Sequence, residues 1–236
     1  MIKLINNELI KLGKNKIILS QILFLIIIYI IYKVEDTNFS ETIFSIIPFV
    51  GLLSCVLFGG IISGELDNGT LRFYLTKPHK RYKIYFSKLL CSYFYLTIVL
   101  TFILVVYLIL NTSIDTDYII KFYKYCIPIF LIMTITLFLS TLLKNTSLVV
   151  GISIFILVFS PIISQVFFGI NFNFIEHTFL PYLDFTLFND KISLDIMNNE
   201  LGINLNLKKG IIIDIISIII FYVLGNFIFI KKDIRN

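Results

Sequence analysis

Long runs of apolar residues separated by short polar stretches dominate this chain. Six runs approach or reach the roughly 20 residues that an α-helix needs to cross a bilayer. They cover residues 17–32, 43–62, 89–110, 125–143, 148–170 and 211–230. No small-x-small cleavage site follows the first run, so we interpret it as a retained helix rather than a signal peptide. The pattern predicts an all-α membrane protein with six transmembrane helices, forming one domain over residues 1–236.

Two segments outside these runs have patterns of their own. Within residues 1–16, apolar side chains recur at helical spacing, which predicts an amphipathic helix at the inner membrane surface rather than a disordered basic tail. The polar segment 171–210 contains a dense aromatic cluster between residues 179 and 188. Because so apolar a stretch is unsuited to a free loop, we expect an interfacial or re-entrant segment there.

Composition supports the membrane assignment and excludes several kinds of site. Apolar residues make up 58% of the chain, charged residues only 15%, and the mean hydropathy is +0.93. Six spans leave no room for a nucleotide-hydrolysing domain. Two histidines and three cysteines disfavour a metal cluster or a disulfide framework. Cys55, Cys91 and Cys126 all fall in or beside apolar runs, so we expect them to be buried small side chains.

The placement of basic residues predicts the orientation in the membrane. Six of the 20 lysines and arginines fall on one side of the predicted bundle, namely Lys33, Lys121, Lys124, Lys191, Lys208 and Lys209, and the other fourteen fall on the opposite side. The positive-inside rule then places both termini and the loop 63–88 in the cytoplasm, with 171–210 outside. In a membrane protein the placement of the basic residues says more than their net charge of +5. We therefore expect no nucleic-acid partner.

The cytoplasmic loop 63–88 is the most informative stretch of the chain. Asn68-Gly69 is a turn signal, and Thr70 can cap a short helix that ends before Pro78. That helix would present several large apolar side chains to water, which indicates either a protein partner or contact with the inner membrane surface.

The loop carries the spacing Glu65-x3-Gly69-Thr70-Leu71-x3-Leu75-x2-Pro78-x2-Arg81-x6-Lys88. Between a second and a third span, this pattern resembles the cytoplasmic loop of the ABC-2 type permeases, the membrane subunits of one class of ATP-binding-cassette exporters. The likeness also includes the amphipathic start, the six spans and the long outer segment, although only the loop is specific.

The resemblance implies that the loop is a coupling helix that docks on a separate ATPase subunit. Apolar Leu71, Phe73 and Leu75 would supply the buried contact, while Glu65 and Arg72 would orient it. The implied coupling residues are Glu65, Gly69, Thr70, Leu71, Arg72, Phe73, Leu75, Pro78 and Arg81. The chain contains no GxxxxGK[ST] loop and is expected to bind no cofactor itself, so ATP and magnesium belong to the partner.

The family likeness further implies that a second permease, identical or related, completes the pathway. It suggests a multi-pass protein of the bacterial cell membrane that exports an antimicrobial peptide, a drug or a lipid. Few charges interrupt the spans, which agrees with an amphipathic or hydrophobic substrate.

A substrate gate is one interpretation of the aromatic outer segment, with Phe179, Pro181 and Tyr182 as candidates. Asp214 joins them because it lies within the last apolar run, where a carboxylate is a functional candidate by default. An alternative is that it merely lies close to the outer boundary, within reach of water.

Two other classes of function are alternatives that the residues support less well. A six-span channel or a secondary transporter not driven by ATP would require polar stripes through the spans, which the sequence does not show. A membrane-embedded protease would require an HExxH motif or paired acids within a span, and neither occurs.

Overall fold

The computed structural model describes residues 2–12, 21–23, 26, 29, 39–70, 80–110, 116–170, 173–183, 194, 198–199 and 203–232. Within these residues the regular structure is entirely helical, which confirms the all-α prediction. The α-helices are α1 (Ile2–Leu12), α2 (Phe39–Phe58), α3 (Gly60–Asp67), α4 (Arg81–Leu110), α5 (Thr116–Tyr125), α6 (Ile127–Leu142), α7 (Thr146–Gly169) and α8 (Leu207–Lys231). Two 3₁₀ turns, Asn173–His177 and Leu180–Tyr182, lie between α7 and α8.

Five helical segments in the described part of the chain are long and apolar enough to cross a membrane. They are Pro48–Asp67, Arg81–Val106, Phe122–Leu142, Thr146–Gly169 and Leu207–Lys231. These correspond to the second to sixth predicted spans. Most of the first predicted span, 17–32, lies outside the described residues, so the count of six stays a prediction.

Helix α6 forms the centre of the bundle. It packs most extensively against α8 and also contacts α2, α3, α4, α5 and α7. Most side chains along it are buried, including those of Thr134, Thr136 and Ser140. By contrast, α7 and α8 expose long apolar faces, as expected of helices at the outside of a membrane bundle. The bundle is therefore a buried central helix within a ring of apolar ones.

The helices around the predicted loop 63–88 are longer than the hydropathy pattern indicates. Helix α4 begins at Arg81, eight residues before the predicted start of the third span at residue 89, and α3 continues to Asp67. The charged residues in these extra turns suggested an aqueous loop. However, Lys88 is completely buried, because carboxylates distant in sequence surround it. The connection between the two helices therefore shortens to residues 68–80.

A cluster of glycines lets α2 and α3 approach α7 closely. A Cβ atom on Gly59, where α2 and α3 join, would lie 2.4 Å from a methyl group of Val150. Gly60 and Gly64 both face the methyl group of Thr146, with a Cβ-to-methyl distance of 3.4 Å at each. This is the close helix approach that the GxxxG spacing of Gly60 and Gly64 indicates. The start of the loop 68–80 thus lies beside a helix pair that packs closely on α7.

Candidate functional site

A cluster of four charged side chains lies at the end of α3, just before the loop 68–80. At its centre is the Lys88 ammonium, whose side chain is fully buried. Its Nζ lies 2.8 Å from Glu65 Oε2 and 3.3 Å from Glu8 Oε2, and it donates a hydrogen bond to the Ile61 carbonyl at 3.1 Å. Burying an ammonium group is costly unless it is paired and hydrogen-bonded, and these contacts meet both conditions. One lysine thereby joins α1, α3 and α4.

Lys11 completes the charge cluster from the second last residue of α1. Its Nζ lies 2.6 Å from Glu65 Oε1 and 3.4 Å from Glu8 Oε1, and its side chain is 40% exposed. A cavity of about 280 Å³ opens beside it, lined in part by Glu8, Lys11 and Glu65. Two carboxylates and two ammonium groups alternate here, so the cluster is neutral as a whole. Lys11 and Lys88 therefore connect the amphipathic helix α1 to Glu65, near the start of the loop 68–80.

Helix α3 ends in a turn that the sequence predicts. Gly69 has φ +68°, a backbone conformation that glycine adopts without strain, and its N–H donates to the Leu66 carbonyl at 3.2 Å. The Asn68-Gly69 turn is thereby confirmed. The Thr70 hydroxyl donates back to the Glu65 carbonyl at 3.4 Å, so in this structure it contacts the end of α3. The turn therefore ends α3 at Asp67.

The structure describes only part of the predicted coupling site. Leu71, Arg72, Phe73, Leu75 and Pro78 lie outside the described residues. The described members fall on both sides of that gap, with Glu65, Gly69 and Thr70 before it.

Arg81, which follows the gap, begins α4 and contacts the end of α8. Its Nη1 donates to the carbonyls of Ile230 at 2.8 Å and Lys232 at 3.0 Å. The last carbonyls of a helix have no partner within it, and a cation near them also interacts favourably with the helix dipole. Glu65 and Arg81, on the two sides of the loop 68–80, thus contact different helices.

The predicted gate segment packs into the bundle. The ring of Phe179 lies 5.5 Å from that of Phe221 in an edge-to-face arrangement, a contact well inside α8 rather than at its first turn. Leu183 is buried in an apolar cluster with Ile132 and Ile135 of the central helix. Residues 179–183 therefore insert between α6, α7 and α8.

Tyr182 packs against the first turn of α8, and Asp214 lies on the next turn of that helix. Tyr182 is fully buried over Gly210, where a Cβ atom would come within 2.5 Å of its ring, and its hydroxyl donates to the Glu176 carbonyl at 3.0 Å. Asp214 follows one turn later in α8 and is also fully buried. Neither of its carboxylate oxygens has a hydrogen-bond partner among the described residues. Pro181 is buried on the same 3₁₀ turn, so the four predicted gate residues lie in one region.

Glu176, in the first 3₁₀ turn, contacts the residues at the start of α8. Its Oε2 accepts a hydrogen bond from the Asn204 N–H at 3.0 Å, while Oε1 lies 3.1 Å from both Lys209 Nζ and His177 Nε2. The Asn204 hydrogen bond lowers the pKa of the Glu176 carboxyl below its usual range, and Lys209 and His177 lower it further. Burial raises the pKa of Tyr182, and the Glu176 and Asp214 carboxylates raise it further. A charged Glu176 is thus part of the normal packing of this segment.

Two further predictions from the sequence concern the cysteines and a metal site. The three cysteines are free and buried, which confirms their interpretation as small core side chains. Among the described residues, no group of three or more His, Cys, Asp or Glu side chains could hold a metal ion.

Sequence reasoning missed Glu8 and Lys11 as site residues. The available signal was that Glu8 is the only acid in an otherwise basic amphipathic segment.

Two comparisons with known proteins agree with the described architecture. A family model described as ABC-2 family transporter protein matches residues 11–234, nearly the whole chain. The chain is also similar to the uncharacterized protein YhcI of Bacillus subtilis (strain 168). The two are 22% identical over 246 aligned residues, which cover 87% of this chain and 74% of that relative.

Proposed function

Because this chain belongs to the ABC-2 family of transporter proteins, we propose that it forms half of an export pathway driven by a separate ATPase subunit. The partner subunit binds ATP and magnesium, and a second permease, identical or related, supplies the other half. Both termini and the coupling loop face the cytoplasm of a bacterial cell, as the distribution of basic residues predicts. This assignment makes the chain a transporter subunit and not an enzyme.

The observation that carries this proposal is the anchoring of the coupling loop at both ends. Glu65, just before the loop, pairs with Lys88 and Lys11, and Arg81, just after it, binds the end of α8. A loop that only connected two spans would not require a buried ammonium group at its base. A loop that receives a force from a partner requires firm attachment, since a slack connection would absorb the movement. This arrangement supports a mechanical role for the segment between residues 70 and 80.

The substrate class follows from the character of the spans. Asp214 is the carboxylate that lies inside the last span, and the side chains of α6 are apolar or carry small hydroxyls, of which Thr134 and Thr136 donate to carbonyls of their own helix. Charged substrates would require more polar partners than these within the membrane. We therefore propose an amphipathic or hydrophobic cargo, such as an antimicrobial peptide, a drug or a lipid. Phe179, Pro181, Tyr182 and Asp214 would form part of its outer gate.

The docking role of the coupling loop can be tested directly. In the double variant Leu71→Asp, Phe73→Asp, charge enters the apolar surface that we propose to bind the ATPase. Because burying an unpaired carboxylate costs several kcal/mol, we expect at least a hundredfold weaker binding. The measurement is the amount of ATPase that co-purifies with the affinity-tagged permease.

Lys77→Ala is the matched control, since it changes a residue of the same loop and leaves Leu71 and Phe73 in place. Normal membrane insertion of both variants would show that the spans are intact. Wild-type recovery of the ATPase with the double aspartate variant would reject this loop as the docking element.

A further inference from the structure

The helix that follows the coupling loop, α4, is bonded to the end of α8 through its first residue. Arg81 begins α4, and its Nη1 is shared between the Ile230 and Lys232 carbonyls at the end of α8. Charge-assisted hydrogen bonds are shorter and stronger than those between neutral groups. They resist separation of the two helices at the point where the loop enters α4.

A second contact lies one turn further along α4. The Tyr85 side chain is fully buried against α8 at Gly225, where a Cβ atom would lie only 2.1 Å from the tyrosine oxygen. Its ring centroid is 5.7 Å from that of Phe229. Two contacts separated by one turn constrain the angle between α4 and α8 as well as their distance. We call Arg81, Tyr85, Gly225, Phe229 and Lys232 the α4–α8 joint.

The joint continues to the central helix through Lys232. Its Nζ donates to the carbonyl of Thr141, one of the last carbonyls of α6. Lys232 therefore receives Arg81 on its backbone oxygen and holds α6 with its side chain. Three helix ends, those of α4, α8 and α6, are connected in series from the exit of the loop.

We propose that Arg81 is a positioning residue that transmits movement of the coupling loop to the ends of α8 and α6, rather than a contact to the ATPase. This inference rests on the proposed function, because it requires an ATPase that moves the loop. The joint makes α8 follow the first turn of α4. Since α8 carries Asp214 and packs against the outer segment at Phe221 and Gly210, the movement reaches the outer gate along one rigid helix.

The test is hydrogen exchange of the full-length permease in complex with its ATPase, in lipid nanodiscs with and without ATP plus vanadate. In the wild type, we expect nucleotide to change exchange in peptides covering residues 226–232. Arg81→Gln should keep stoichiometric ATPase binding and ATP hydrolysis but lose this nucleotide-dependent change. Basal exchange at the end of α8 should rise about tenfold, as expected when hydrogen bonds to a charged group are lost.

Three further variants sharpen the comparison. Lys83→Gln removes the same charge two residues along α4 and should behave as the wild type. Arg81→Lys retains a cationic donor and should restore part of the nucleotide response. Lys232→Met should lose the response at the end of α6, in residues 138–142, while that of α8 remains. This last variant leaves Arg81 intact and tests the series connection by itself.

The possible failures differ from one another. Loss of the ATPase from Arg81→Gln would make Arg81 a docking residue and overturn the inference. A nucleotide response that persists in Arg81→Gln would show that Arg81 does not transmit the movement and would overturn the inference. If no ATPase co-purifies with the wild-type permease, the proposed function fails, and this inference fails with it.

Discussion

At the scale of single residues, Lys88 shows how a bundle of apolar helices accommodates a charge. Its ammonium group is fully buried, yet it contacts two carboxylates and a backbone carbonyl. The partners Glu8 and Glu65 come from other helices, so the lysine stabilises the bundle only when α1 and α3 are both in place. A buried charge of this kind specifies one arrangement of three helices.

Removing the Lys88 charge should therefore destabilise the protein strongly. Lys88→Met leaves Lys11 as the described partner of Glu8 and Glu65, and breaking a buried ion pair costs about 3–5 kcal/mol. The measurement is thermal unfolding of the purified permease in detergent.

Two variants provide the comparison for Lys88→Met. Lys83→Met, on the same helix but partly exposed, should have a small effect. Adding Glu8→Gln to Lys88→Met should recover part of the loss, because one uncompensated carboxylate is removed. Equal unfolding temperatures for the Lys83 and Lys88 variants would contradict a structural role for the cluster.

The local part of this site could be predicted from sequence, and the non-local part could not. Asn68 and Gly69 predict a turn from sequence, because the backbone conformation of a turn depends on neighbouring residues alone. Lys88 instead resembles an aqueous lysine at the edge of a span. Its burial depends on Glu8, which is 80 positions away in the chain, and no pattern of hydropathy reports such a pairing.

At the scale of helices, the same distinction separates the centres of elements from their ends. The apolar runs predicted the central parts of the five described spans. A segment that crosses lipid must be apolar, and it must pair its backbone polar groups internally as a helix does. The run could not predict that α4 begins at Arg81, since its first two turns contain charged residues. Those turns are helical because Arg81 and Tyr85 find partners on α8.

Close packing between α4 and α8 gives a prediction at this scale. Gly225→Ala places a methyl group 2.1 Å from the Tyr85 oxygen, so the Tyr85 side chain or one of the two helices must shift. Overpacking of this kind typically costs about 1–3 kcal/mol. We expect a corresponding decrease in the stability of the permease, measured by thermal unfolding in detergent.

Gly151→Ala is the matched control for Gly225→Ala. It lies within α7, and nothing approaches the added methyl group within 4 Å. Since alanine favours a helix over glycine by about 0.5–1 kcal/mol, this variant should be neutral or slightly more stable. A Gly225→Ala protein as stable as Gly151→Ala would show that α4 and α8 are not in close contact.

At the scale of the whole molecule, the asymmetry of charge gives a test of orientation. We expect Lys80→Cys to face the cytoplasm and Asn199→Cys to face the exterior, and both positions are exposed. A membrane-impermeant thiol reagent added to intact cells should label position 199, and should label position 80 only after permeabilisation. The three native cysteines are buried and should contribute little background. The reverse pattern would overturn the topology.

The central position of α6 has a consequence for how the protein is made. This helix forms its most extensive contacts with α8, which the ribosome synthesises only after α7 and the outer segment. Until then, the side of α6 that α8 later covers must face lipid or another protein in the membrane. Insertion of α6 and completion of the bundle are therefore separate events in time. A chain stopped before α8 would enter the membrane with its central helix uncovered, and would become a substrate for membrane proteases.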